Sequence, residues 1–247
     1  MKTKIIVASL CLSVLSACGN LDQIIKEIEN TTNGTGVSMI PSEFEMASGL
    51  KEALEKGTNS GVNKLNVAGG FLNDPQVKIP FPKELVKVEN TLRDIGLSSE
   101  VDRVVNSLNE AAEKAVIEAK PLFVNAIKEM TFQDVKNILI GSDSAATTYL
   151  NSKTRGDLVN AFQPKIKNSL DQVNATKYWT DIIGTYNKIP FVNKVNEDLP
   201  AYVTGKAIDG LFLQIAKEEL AIRQNPIERT TSLLKKVFGY ADSAASN

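Results

Sequence analysis

This sequence predicts an all-helical fold, and three observations predict it. Helix-start signals recur along the chain, each a Ser, Thr or Asn followed three residues later by an acidic side chain. Apolar residues fall three and four apart over long windows, the spacing of one helix face. The one extended-looking stretch, Asn73-Asp74-Pro75-Gln76-Val77-Lys78-Ile79-Pro80-Phe81-Pro82, carries prolines that forbid a central strand and favour an extended or polyproline path over the surface. The expectation is one all-α, multi-helical domain over residues 42–240, of about eight to ten helices with at most a minimal β-contact, long enough to bury a proper core.

Taken in order, the chain opens with Lys2 and Lys4 ahead of an apolar run from Ile5 to Leu15. That pattern is a secretory signal, shorter than the roughly 20 apolar residues that span a bilayer. It ends in Leu15-Ser16-Ala17-Cys18, which resembles a lipobox, so residues 1–17 are expected to be removed and Cys18 lipidated. The alternative is an ordinary signal cut after Ala17, leaving Cys18 as a lone thiol in an oxidising compartment; acylation removes that thiol. Leu21, Ile24, Ile25 and Ile28 then share one helical face, and so short a helix either docks on the domain or lies at the lipid surface. Asn30-Thr31-Thr32-Asn33-Gly34-Thr35-Gly36 is rich in turn formers, and residues 18–41 read as a flexible tether. Some 20 residues of such chain reach about 25 Å as a coil.

Ser42 with Glu45 makes a capping box for a helix running toward Asn66. Ser99 is expected to cap a helix whose apolar positions Val101, Val104, Val105, Leu108, Ala112, Ala115, Val116 and Ala119 keep the helical period for about five turns. Thr131 and Thr154 are further N-cap candidates, each with Asp three residues on. Asn225-Pro226-Ile227-Glu228 combines an Asn cap, Pro at the first helical position and Glu at the third. The helix it starts is expected to bury Leu233, Leu234, Val237 and Phe238 and to stop at Gly239, leaving 241–247 as a disordered tail. Lys-Ile-Pro-Phe occurs at Lys78–Phe81 and again at Lys188–Phe191, each time after a helix. Two similar interhelical connectors are expected, with a short two-stranded contact or a coincidental repeat as the alternatives.

Composition narrows the chemistry. The chain of 247 residues has no histidine, and both cysteines, Cys11 and Cys18, fall in the N-terminal segment. A domain without imidazole or thiol has no Ser-His-Asp or Cys-His nucleophile system, no zinc site of the usual N/S kind and no haem or iron–sulfur ligation of the usual type. No Asp-x-Asp-x-Asp-Gly loop occurs and the acidic residues are scattered, so neither metal nor cofactor is expected. Loss of residues 1–17 leaves 26 Lys and Arg against 29 Asp and Glu, a net charge of −3 with no basic block. That balance argues against a nucleic-acid role and against electrostatic docking on anionic lipid. Membrane attachment then rests on the acyl chains at Cys18, each buried methylene contributing about 0.8 kcal/mol. Gly19 rather than Asp follows Cys18, which by the enterobacterial sorting rule implies an outer-membrane anchor, with the domain in the periplasm.

Four features could carry function. Gly141-Ser142-Asp143-Ser144-Ala145-Ala146-Thr147 lacks the second glycine and the lysine of a phosphate-binding loop, and reads as a helix N-cap at Ser142 or Asp143. Glu219 and Arg223 lie four apart beside Glu218 and are expected to form a surface pair worth a few tenths of a kcal/mol. Tyr178, Trp179, Tyr186 and Phe191 could stack a ligand, although Trp179, Ile182, Ile183 and Tyr186 have the spacing of core. The Pro-rich connector around Val77 to Pro82 either covers the domain's own core or presents Phe71, Ile79 and Phe81 to a partner. With Lys188 and Phe191 of the second connector, these are the candidate partner-binding residues.

The chain as a whole resembles the bacterial lipoprotein and periplasmic family known as domain of unknown function 4197. The resemblance spans about residues 48 to 239 and rests on Gly49-Leu50-Lys51-Glu52-Ala53-Leu54, Asn73-Asp74-Pro75 with Val77-Lys78-Ile79-Pro80, Asn109-Glu110-Ala111-Ala112-Glu113, Ala145-Ala146-Thr147-Thr148-Tyr149 and Lys206-Ala207-Ile208-Asp209-Gly210-Leu211-Phe212. Its most distinctive part is Ile222-Arg223-Gln224-Asn225-Pro226 through Leu233-Leu234-Lys235-Lys236-Val237-Phe238-Gly239. The resemblance implies an exported, mostly helical protein with no established activity, so no catalytic residue carries over. The expected function is that of a non-enzymatic, lipid-anchored periplasmic interaction protein, an accessory of an outer-membrane channel, transport or assembly system. Its partner would be an envelope protein such as an outer-membrane β-barrel or secretion channel, and in one version the domain caps the periplasmic mouth of the channel. The alternatives are a carrier holding a lipid or other apolar ligand in an interhelical cavity of about 300 Å³ or more, and a carboxylate-dependent hydrolase with Glu218 or Asp209 as base.

Overall fold

Ser42 turns the chain into its first helix. Its Oγ accepts the Glu45 N–H at 3.2 Å while Glu45 Oε2 accepts the Ser42 N–H at 2.8 Å, the reciprocal capping box that the spacing predicts. Lys236 donates to the same Glu45 carboxylate, and that contact first, then the cap, holds the carboxyl down at about 2. The computed structural model describes residues 40–245 except 189, 192–193 and 195–197, so the signal, Cys18, the tether up to residue 39 and the last two residues of the tail lie outside the described residues.

The helices are α1 (Glu43–Leu65), α2 (Val86–Asp94), α3 (Ser98–Ala115), α4 (Ala119–Lys128), α5 (Phe132–Leu139), α6 (Ala145–Asp171), α7 (Ala175–Tyr186), α8 (Leu199–Gln224) and α9 (Ser232–Ala245). Short 3-10 turns lie at Lys83–Leu85, Val116–Glu118 and Pro226–Glu228, and no strand occurs among the described residues, so the two connectors form no β-contact there. No helix among them is long and apolar enough to cross a membrane.

The described residues from Pro41 onward form one compact unit around the packing of α6 against α8, α3 and α4, and of α1 against α8, α4 and α9. Small residues set the closest approaches: a Cβ on Gly61 of α1 would stand 3.2 Å from Ile215 of α8, and Ala111, Ala112, Ala115 and Ala119 are wholly buried. Phe123, Phe162, Ile127, Leu150 and Leu158 fill the space between, each large side chain contributing about 1.5–3 kcal/mol by leaving water.

The cap at Thr131 forms as expected, with its Oγ1 accepting the Asp134 N–H at 3.1 Å. Others do not. Ser99 caps nothing; α3 starts at Ser98 and the Ser99 hydroxyl donates to Glu100. The expected long helix is interrupted at Val116–Glu118, because Pro121 has no N–H to give the Ile117 carbonyl and α4 starts afresh at Ala119. Thr154 lies inside α6, where buried Leu150, Leu158 and Phe162 keep the helical stripe running and its hydroxyl donates back to the Leu150 carbonyl at 2.7 Å. Asn225 caps only the turn at Pro226–Glu228, and Thr231 opens α9, its Oγ1 accepting the Leu234 N–H.

Arg229 explains that break. Its buried guanidinium folds back onto the end of α8, Nε donating to the Ile222 carbonyl at 2.9 Å, so the chain must leave the helical path before α9 begins. The same side chain gives Nη1 to Asp242 at 2.7 Å, and Ala241 is buried beside it. Gly239 therefore does not stop α9, its backbone stays out of the left-handed region, and residues 241–245 of the expected disordered tail are helix.

Candidate functional site

The first Pro-rich connector is fastened by α3. Asn109, buried among alanines, accepts the Ile79 N–H through Oδ1 at 2.8 Å and donates Nδ2 to the Ile79 carbonyl at 2.9 Å. One turn further on, Glu113 Oε1 accepts the N–H groups of Phe71 at 3.1 Å and Leu72 at 3.4 Å. Asp74 takes a hydrogen bond from Gln214 of α8, and the Tyr202 hydroxyl donates to the Pro80 carbonyl at 2.9 Å. The side chains of Phe71 and Ile79 are consequently wholly buried. Both were expected as possible partner contacts, and both are core; the connector covers the domain's own interior.

Phe81 is half-buried, its ring centroid 6.1 Å from that of Trp179, which stacks at 6.4 Å on Tyr202. Trp179 and Ile183 are buried, so this aromatic group reads as packing, with Tyr178 left exposed on the other side of α7. The second connector differs. Lys188 and Phe191 are exposed, Phe191 at 107% of its reference area and with φ of +64°. Of the five candidate contacts, these two face solvent.

Glu219 and Arg223 are not the expected surface pair. Both side chains are less than a tenth exposed, and their guanidinium and carboxylate meet at 3.0 Å. Glu219 accepts the N–H groups of Ala146 at 2.9 Å and Thr147 at 2.8 Å, taking over the capping of α6 expected of Ser142 or Asp143. Arg223 donates to the Ile138 carbonyl at 2.8 Å and to that of Leu139 at the end of α5. An anion at a helix start and a cation at a helix end each complement the local dipole, so one turn of α8 clamps the α5–α6 junction. Breaking a pair this buried costs about 3–5 kcal/mol.

The two hydrolase candidates have cations of their own: Asp209 meets Arg155 at 2.7 Å, and Glu218 meets Lys64. Among the described residues no group of three His, Cys, Asp or Glu side chains could hold a metal ion. The apolar cavity between α1, α8 and α9, lined by Leu50, Leu54, Ile215 and Phe238, encloses about 20 Å³, room for a water and not for an acyl chain.

Two clefts are larger. One, of about 300 Å³, lies between α4 and α6 and is lined by Glu129, Asp134, Tyr149, Lys153 and Asp157. Its fittings serve the fold: the Thr131 hydroxyl and N–H hold the Asp134 carboxyl below its ordinary range, and burial raises the Tyr149 phenol. The other, of about 610 Å³, lies between α3 and the turn after α1 and is lined by Asn66, Gly69, Asn73, Glu110, Glu113 and Lys114. Asn109 and Glu113 were missed by sequence reasoning, which paired Glu219 with Arg223 but missed their contacts to the ends of α5 and α6. The signal available for the first two was a polar residue standing in the apolar register of an Ala-rich helix.

Comparison with known proteins gives no matching curated protein and no matching solved structure. The family described as "Protein of unknown function (DUF4197)" matches residues 41–239, from the Ser42 cap into α9, and the chain belongs to that family.

Proposed function

We propose that this chain is a non-enzymatic interaction protein, held by a lipidated Cys18 in the outer membrane with its helical domain in the periplasm. It serves as an accessory of a channel, transport or assembly system and caps the periplasmic mouth of the channel. The observation that carries this reading is Phe191, fully exposed on a left-handed backbone beside exposed Lys188. That backbone costs an L-residue about 1–2 kcal/mol, and leaving the ring in water forgoes its burial. An aromatic held out in this way matches the anchors that dominate protein interfaces.

The test places a photo-crosslinking amino acid at position 191 of the full chain in living cells. The expected product joins the chain to an integral outer-membrane protein, and replacing Cys18 with Ala reduces it by removing the anchor. Recovery of the uncrosslinked chain alone would overturn the reading.

A further inference from the structure

The hairpin of α2 and α3 is fastened less firmly than the rest of the domain. No residue of α2 is buried; Val88 and Leu92 are half-buried, while Val86 at its base and Ile95 and Leu97 at its tip are exposed. Nine residues of helix do not hold together in water without packing. Among the described residues α2 packs chiefly on α3 and on the 3-10 turn at Lys83–Leu85. The other short terminal helix differs, since α9 buries Leu234, Val237 and Phe238.

The polar fastenings of α2 lie at the surface. Arg93 donates Nε and Nη2 to Glu89 at 3.1 and 2.8 Å, and Nη1 to Asp102 of α3 at 2.8 Å. All three side chains stand partly in water, where such pairs contribute little. The tip closes with the Leu97 N–H on the Leu92 carbonyl at 2.9 Å, around Gly96 at φ of +89°. A Cβ on Gly96 would meet nothing within 4 Å, so the tip stands free of its surroundings. What α2 lies on is apolar. The antiparallel register that Arg93 and Asp102 fix lays Val88 and Leu92 alongside Val101 and Val105. Those two valines are 2% and 7% exposed, yet neither belongs to the principal core among the described residues.

We infer that residues 86–97 form a strap that unlatches as one unit while the rest of the fold stays closed, baring the Val101 and Val105 face of α3. Leu85, wholly buried, holds one end of the strap, and α3 holds the other. Few buried apolar contacts and solvent-exposed helix hydrogen bonds are the marks of a segment that opens below the cost of global unfolding. Closed, the two valines are dry; open, α3 presents them to solvent. The inference stands independently of the channel reading.

The experiment follows amide hydrogen exchange of the full chain, solubilised in detergent, by mass spectrometry. Peptides within 86–97 should exchange together, at least about tenfold faster than peptides from α1 and α8, with a rate that urea below the unfolding transition barely changes. The thiol introduced by Val105→Cys reports on the face beneath: its labelling rate, read from the mass of its own peptide, should give the opening constant of the strap amides in that same variant. Gly96→Ala meets no neighbour and strains only the backbone of the tip, so it should speed exchange across 86–97 about fivefold. Strap exchange less than about tenfold faster than that of α1 and α8 overturns the proposal. So does a Val105→Cys thiol whose opening constant is that of α1 and α8, or a folded Gly96→Ala chain whose strap exchanges at the wild-type rate.

Discussion

Lys-Ile-Pro-Phe stands in two connectors of this molecule and behaves differently in each. At Lys78–Phe81, Ile79 is wholly buried, both of its backbone groups are bonded to Asn109, and Phe81 packs near Trp179. At Lys188–Phe191, the lysine, Pro190 and the phenylalanine are exposed, and Phe191 has a left-handed backbone. Four identical residues thus leave the conformation open, and the neighbour decides it. The carboxamide of Asn109 offers Ile79 an acceptor and a donor side by side, as a residue on an adjacent strand would. A helix thereby pairs with an extended segment that prolines keep out of any sheet.

The sharpest way to break this contrast is Asn109→Ala. Two buried backbone groups of Ile79 would lose their partners, at about 1–3 kcal/mol each, so urea denaturation should register a loss of about 3–5 kcal/mol. A loss below about 1 kcal/mol would show that the fastening is dispensable. Ile79→Ala should cost about 3 kcal/mol by leaving a cavity, measured in the same way. Tyr202→Phe removes the bond to the Pro80 carbonyl and should cost about 1 kcal/mol.

Phe191→Ala on the exposed connector should leave stability within about 0.5 kcal/mol of the wild type. Phe191→Gly should be neutral or slightly stabilising. It relieves about 1–2 kcal/mol of left-handed strain and gives back about 0.5–1 kcal/mol through the freer unfolded chain. A thermal melt lowered by several degrees in either variant would mean that Phe191 packs against something in solution.

Local grammar was readable where it met no opposition. The capping boxes at Ser42 and Thr131 need only residues three apart, and both formed. Thr154 has the same signal, Asp three residues on, but lies in the stripe of Leu150 and Leu158, and burial of that stripe outweighs a cap. The contacts between elements were harder to see because their partners are distant in sequence. Asn109 meets Ile79 across 30 positions, and Glu219 meets Ala146 across 73. One dimension shows Glu219 and Arg223 four apart on a helix, which is equally the pattern of a solvated pair. Only the convergence of two helix ends on them reveals a clamp.

The place of α1 has a mechanical consequence. It is the helix nearest the N-terminus among the described residues, and it carries lateral fastenings along its 23 residues: Glu45 to Lys236, Lys51 to the Lys128 carbonyl, Lys56 to the Glu228 carbonyl, and Lys64 to Glu218. A pull at Ser42 directed along the helix axis would load these fastenings together, in shear, instead of opening them one after another as in peeling. Forced unfolding is governed by the barrier to rupture, and sharing the load raises that barrier. The handle by which this domain would be held is also a beam braced along its length against the helices beside it.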